Sequence, residues 1–194
     1  MSDLLANVWQ MTNAEKIGLA KNRFIPGDLQ MAIAKSGYHR ARMYLASNEG
    51  LKGCTRDYLW SDDCNRGFTL KAEILSYGHY REHPEKYVEF YSKFGKRLMT
   101  NTPWRIASVL TGAAWSYYYT GWKFCPTEVL DSIYEDFYVK KRAHDPAGFY
   151  TGERMQMSFV KHPNCSLKLA IQLSTHSNES IKSQAFKKII ELSK

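Results

Sequence analysis

Apolar positions along the chain recur at steps of three and four residues. Ile106, Val109, Leu110 and Ala113 make one such stripe, and Val129, Leu130, Ile133 and Phe137 make another. That spacing returns side chains to one side of an α-helix, so it predicts amphipathic helices. Sustained two-residue alternation bounded by hairpin dipeptides such as Asn-Gly does not occur, and no substantial sheet is expected. Helix starts are marked too. Thr12-Asn13-Ala14-Glu15 has the spacing of a capping box, in which a hydroxyl and a carboxylate satisfy free amides at a helix start. Pro84, Pro103 and Pro126 stand where a first helical turn tolerates a residue without an N–H. The pattern as a whole reads as about ten short helices.

The helices are ordered by a repeat. Displaced by 26 residues, Ala20-Lys21-Asn22 falls on Ala46-Ser47-Asn48, Gly27 on Gly53, Ile33 on Leu59, Arg40 on Arg66 and Ala46 on Ala72. Displaced by 140, Leu29 falls on Leu169 and Ile33 on Leu173. The shared unit is a turn carrying Asn or His-Pro, a short helix, a polar break and a second helix. The breaks are Ser36-Gly37, Asp62-Asp63-Cys64-Asn65 and Thr175-His176-Ser177-Asn178. The second helices hold Ala41 to Leu45, Thr69 to Leu75 and Ile181 to Ile190. Paired helices at such a period are the mark of a solenoid, in which each unit buries its apolar side on its neighbours.

The segment His162-Pro163-Asn164-Cys165-Ser166-Leu167-Lys168-Leu169-Ala170-Ile171-Gln172-Leu173 resembles a variant leucine-rich repeat, which is HEAT-like in shape. The match lies in a turn of Asn-Pro type followed by Leu-x-x-x-Leu. The two N-terminal units have Arg23 and Glu49 where the family has proline, and residues 78 to 160 fit no clear unit, so the resemblance spans about half the chain. It implies an all-α fold, a short right-handed α-solenoid of stacked helix pairs. The expected organisation is a single helical-repeat domain over 1–194, with N-terminal repeats at 1–77, an irregular helical middle at 78–160 and a C-terminal repeat at 161–194. Such arrays are binding scaffolds as a rule, although some HEAT-like arrays are DNA glycosylases.

Composition narrows the partner. Lys and Arg number 27 against 19 Asp and Glu, for a net charge of +8. That balance favours an acidic macromolecule, DNA or RNA or an acidic protein; its bland alternative is solubility alone. The apolar fraction of 44% is enough to build a core. No apolar run approaches the roughly 20 residues of a membrane-spanning helix, and the start of the chain lacks the features of a secretory signal, so no membrane partner is expected. The four cysteines form no Cys-x-x-Cys pair, which fits reduced thiols and a cytoplasmic location. Neither partner identity nor oligomeric state is specified.

Candidate contact residues gather in the middle of the chain. Lys93, Lys96 and Arg97 are spaced to share a helix side; Arg105 follows a helix start, and Lys140, Lys141 and Arg142 end another helix, where cations also suit the dipole. Between them runs an aromatic stretch with Trp115, Tyr117, Tyr118, Tyr119, Trp122 and Phe124, beside Lys123. Successive helical residues point about 100° apart, so consecutive tyrosines cannot all enter one core. Trp115, Tyr118, Trp122 and Lys123 are therefore candidates for stacking on bases or anchoring a partner, the alternative being a core at the centre of the array.

Other constellations point less well to chemistry. His79-Tyr80-Arg81-Glu82-His83 spells a zinc-peptidase pattern, but Gly78 and Pro84 place it in a connection rather than within the helix that ligation needs. Asp62 and Asp63 fit capping, and Asp131, Glu135 and Asp136 a solvated helix side. Trp60-Ser61-Asp62-Asp63 is the one neighbouring set a glycosylase could use. Cys125, before Pro126 at a helix start, would be an acidified thiol if exposed and an inert one if buried. No phosphate-cradling loop or nucleophile elbow occurs, and no cofactor, metal or catalytic residue is implied. The reading is a non-enzymatic helical-repeat binding module for an acidic macromolecule, nucleic acid slightly ahead. A protein-interaction module, inhibitor or adaptor, is the alternative, and a HEAT-like DNA glycosylase or zinc hydrolase stands third.

Overall fold

The computed structural model describes residues 2–61, 67–101, 124–136 and 153–194. These residues hold eleven helices and no strand. The chain divides into two compact units, Met1–Tyr80 and Arg81–Lys194.

The first unit contains α1 (Ser2–Gln10), α2 (Asn13–Lys21), α3 (Gly27–Lys35), α4 (His39–Ala46), α5 (Gly53–Ser61) and α6 (Gly67–Ser76). The capping box opens α2 as its spacing predicts. Thr12 Oγ1 accepts from the Glu15 N–H at 3.3 Å, and Glu15 Oε2 accepts from the Thr12 N–H at 2.7 Å. Gly37 and Gly78 have φ of +77° and +68°, the left-handed region that glycine enters without a Cβ penalty. At the second, the Gly78 N–H reaches the Leu75 carbonyl at 3.0 Å and the His79 N–H reaches that of Ile74 at 3.3 Å, closing α6.

Helices in this unit pack on their next-but-one neighbours. α1, α3 and α5 touch in succession, and so do α2, α4 and α6. The apolar positions that coincide at the 26-residue displacement are buried: Ala20, Ala46 and Ala72, and Ile33 with Leu59. Two turns share one geometry. Asn22 Oδ1 accepts from the Phe24 N–H at 2.9 Å, and Asn48 Oδ1 from the Gly50 N–H at 2.8 Å. Buried amide side chains then tie turn to turn. Asn48 Nδ2 donates to the carbonyls of Ala20 (2.8 Å) and Asn22 (3.1 Å). Gln30 Nε2 donates to Gly50 O at 2.8 Å and to Ile25 O at 3.3 Å, while its Oε1 accepts from the Lys52 N–H at 2.9 Å. These polar groups are buried because they are paired.

The second unit contains α7 (Pro84–Asn101), α8 (Thr127–Tyr134), α9 (Glu153–Lys161), α10 (Leu167–Ser174) and α11 (Glu179–Leu192). α7, at 18 residues, is longer than the short helices expected. Pro84 opens it as predicted, whereas Pro126 stands one residue before α8 in an extended conformation, φ −61° and ψ 149°. Tyr87 and Phe90 on α7, Val129, Leu130 and Ile133 on α8, Phe159 on α9, Leu169 and Leu173 on α10, and Ile181 and Ala185 on α11 are buried. Tyr134 meets Phe159 edge-on at 5.6 Å. The turn before α10 repeats the geometry of Asn22 and Asn48 with an imidazole: His162 Nδ1 accepts from the Asn164 N–H at 3.0 Å. The predicted breaks at Ser36-Gly37 and Thr175 to Asn178 fall between helices. The break at Asp62 to Asn65, the stripe from Ile106 to Ala113, Pro103 and Phe137 lie outside the described residues.

Candidate functional site

Basic residues concentrate in the second unit. Residues 81–194 carry 17 Lys and Arg against 11 Asp and Glu, or +6; residues 1–80 carry 10 against 8, or +2. α7 organises part of the excess. Its buried side is set by Tyr87 and Phe90, with Phe94 half-buried and 5.1 Å from Phe90, ring to ring. Lys86 and Lys93 are seven residues apart and share a register beside that buried side. Lys86 pairs with Glu89 at 2.9 Å. Lys93 is exposed, its ammonium 5.6 Å from the Phe94 ring centre. Lys96 and Arg97 lie three and four residues further along the same helix, in register with Lys93.

Lys93 is thus the predicted contact residue whose side chain is described. Arg105, Trp115, Tyr118, Trp122, Lys123, Lys140, Lys141 and Arg142 lie outside the described residues.

The His-x-x-Glu-His pattern falls in the turn residues after α6, as Gly78 and Pro84 predict. His83 Nδ1 lies 2.9 Å from Glu85 Oε1. Burial lowers the proton affinity of the His79 imidazole, the Arg56 charge adds to this, and a bond with the Ala46 backbone opposes it. Among the described residues, no three His, Cys, Asp or Glu side chains gather as a metal set.

Two readings of acidic groups need correction. Asp131 and Asp136 are not simply a solvated side: Asp131 Oδ1 accepts from Ser166 Oγ at 2.7 Å, and Asp136 Oδ2 accepts from the Tyr91 hydroxyl. Of the two states left open for Cys125 the buried one holds, and burial pushes its thiol well above the ordinary range, reinforced by the Glu128 charge. The Cys165 thiol is likewise pushed up to about 11, chiefly by burial.

A cluster unreadable from spacing closes the first unit. Asp57 Oδ1 accepts from Tyr80 Oη at 2.7 Å and from Arg56 Nε at 2.9 Å. The guanidinium stacks 4.3 Å over the Tyr80 ring, and Arg56 donates to the His79 carbonyl at 3.0 Å. Trp60 is buried edge-on to Tyr80 at 5.0 Å, so it serves this packing, while Asp62 and Asp63 lie outside the described residues. Burial first, then the Asp57 bond, raises the Tyr80 phenol. Some apolar side chains remain at the surface: Phe24 is 78% exposed with the Arg23 guanidinium 4.7 Å over its ring, and Ile190 on α11 is 61% exposed.

No described helix is long and apolar enough to cross a membrane. Comparison with known protein families, curated proteins and solved structures finds no match.

Proposed function

We propose that the chain is a non-enzymatic scaffold, a short right-handed α-solenoid of HEAT-like or variant leucine-rich-repeat type, that binds an acidic macromolecule. The next-but-one packing of α1 to α6 and the recurrence of one turn at Asn22, Asn48 and His162 support the repeat. The observation that carries the ligand class is the +6 charge of residues 81–194, with Lys93, Lys96 and Arg97 in one register of α7. A row of cations that neutralises phosphates releases counterions, and its binding weakens with salt. Nucleic acid is the favoured ligand, and a cytoplasmic site of action agrees with the free thiols of Cys54, Cys125 and Cys165.

Titration with duplex and single-stranded nucleic acid at two salt concentrations tests this. Binding should fall as salt rises, and joint replacement of Lys93, Lys96 and Arg97 by Glu should weaken it about tenfold or more and lower the salt slope by about 3. Absent binding, or binding indifferent to salt and to the triple replacement, rejects the proposal. The exposed Phe24 and Ile190 favour a second reading, a protein-interaction module. Under it, truncating those side chains abolishes partner capture while the charge reversals leave it unchanged.

A further inference from the structure

Turn 162–166 is where α8, α10 and α11 are joined. Asn164 Nδ2 donates to the Cys125 carbonyl at 3.0 Å, and Thr127 Oγ1 donates to the Asn164 carbonyl at 3.1 Å. Ser166 Oγ bonds Asp131 at 2.7 Å and accepts from the Leu169 N–H at 2.9 Å, capping α10. Lys188 on α11 reaches the Pro163 carbonyl at 3.4 Å. All of this depends on the turn's shape, which the bond from the Asn164 N–H to His162 Nδ1 helps to hold.

We infer that His162 makes the docking of α10 on α8 sensitive to protons. An imidazole nitrogen accepts a hydrogen bond only while it carries no proton. When Nδ1 takes one up, its lone pair becomes an N–H, and that donor faces the Asn164 donor. His162 is 6% exposed, so solvent offers little compensation. The first unit builds the same turn with Asn22 and Asn48, whose amide oxygens accept at any pH near neutrality. In the second unit the acceptor is an imidazole nitrogen, at His162 here and at His176 in the turn before α11, where Nδ1 accepts from the Asn178 N–H at 2.9 Å.

Among the described residues, the charged groups near this turn are Asp131 and Glu128 on α8, Lys188 and its partner Glu191 on α11 (3.2 Å), and Lys161 at the end of α9, with the raised thiols of Cys125 and Cys165. Carboxylates and ammonium groups ordinarily titrate outside about pH 5.5 to 7.5, and imidazole within it, near 6.5. As pH falls through that window, the open form of the turn binds a proton that the closed form excludes. Opening therefore becomes easier at low pH, by up to about tenfold per pH unit.

Amide hydrogen exchange of Asn164 and Cys165 in the full chain, corrected for intrinsic rates, reads the opening. Between about pH 7.5 and 5.5 the opening constant should rise about tenfold in the native chain, and by less than about twofold in His162→Asn. His79 also keeps a lowered proton affinity in the fold, so the first unit too weakens as pH falls; it is present in both proteins and cancels. An equal rise in both proteins, or none in the native chain, overturns the inference. The native imidazole gives an independent readout by nitrogen NMR at about pH 8: Nε2 should carry the proton and Nδ1 none, and a protonated Nδ1 overturns the inference whether or not the variant folds.

Discussion

Replacing Asn48 by Ala lowers the unfolding free energy by about 3 kcal/mol, read from the midpoint of a urea transition with its slope unchanged. The side chain is 5% exposed and makes three bonds: to the carbonyls of Ala20 and Asn22, and from the Gly50 N–H. Each such bond contributes about 1 kcal/mol net. The Ala20 carbonyl adds to the loss. It lies in the last turn of α2, where no further helical N–H follows to bond it, so Asn48 is its partner from the next turn along. Alanine leaves that carbonyl buried and unpaired. Aspartate is at least as damaging, because it keeps the acceptor for Gly50 and sets a charge against two carbonyls. A loss under about 1 kcal/mol would mean that the two turns hold together without this residue.

How much of this was readable follows from the range of each interaction. The capping box at Thr12 and the stop at Gly78 involve residues within five positions of one another, and both were legible. The 26-residue displacement picked out Ala20, Ala46, Ala72, Ile33 and Leu59, because equivalent positions in stacked helices need similar small or branched side chains. Gln30 was not legible. It is a polar residue within a helix whose partners at Gly50 and Lys52 lie 20 and 22 positions away. The likeness of His162 to Asn48 was legible as a shared turn position, but the bond was not: an imidazole nitrogen and an amide oxygen do the same accepting there although the letters differ.

The candidate site divides along the same line. The shared register of Lys93, Lys96 and Arg97 is a property of one helix and could be read from spacing. For Cys125 the sequence left an acidified and a buried, inert thiol both open, and tertiary burial decides for the second. Asp136 was misread for a similar reason: its partner, Tyr91, is 45 residues earlier on α7.

Gly50→Ala tests the approach of the two turns without touching a hydrogen-bonding side chain, and it should cost about 3 kcal/mol or more. A Cβ at Gly50 would lie 2.0 Å from the Arg23 carbonyl oxygen and 2.8 Å from its carbon. The obstacle is backbone, which cannot swing aside as a side chain does. Positive φ is found at Gly37 and Gly78 and not here, so closeness rather than conformation excludes the methyl group. To admit it, turn 48–52 must withdraw from turn 22–26, stretching the Gln30 bond to Gly50 and the Asn48 bond to Asn22. Gly27→Ala is the matched control. There the new Cβ meets the side chain of Lys52, Cγ at 3.2 Å and Cβ at 3.5 Å, an exposed chain whose outer part can move, and the change should stay within about 1 kcal/mol of the native protein. Equal losses at the two glycines would trace the effect to glycine removal in general, whereas the expected gap between them measures how tightly one turn is laid against the next.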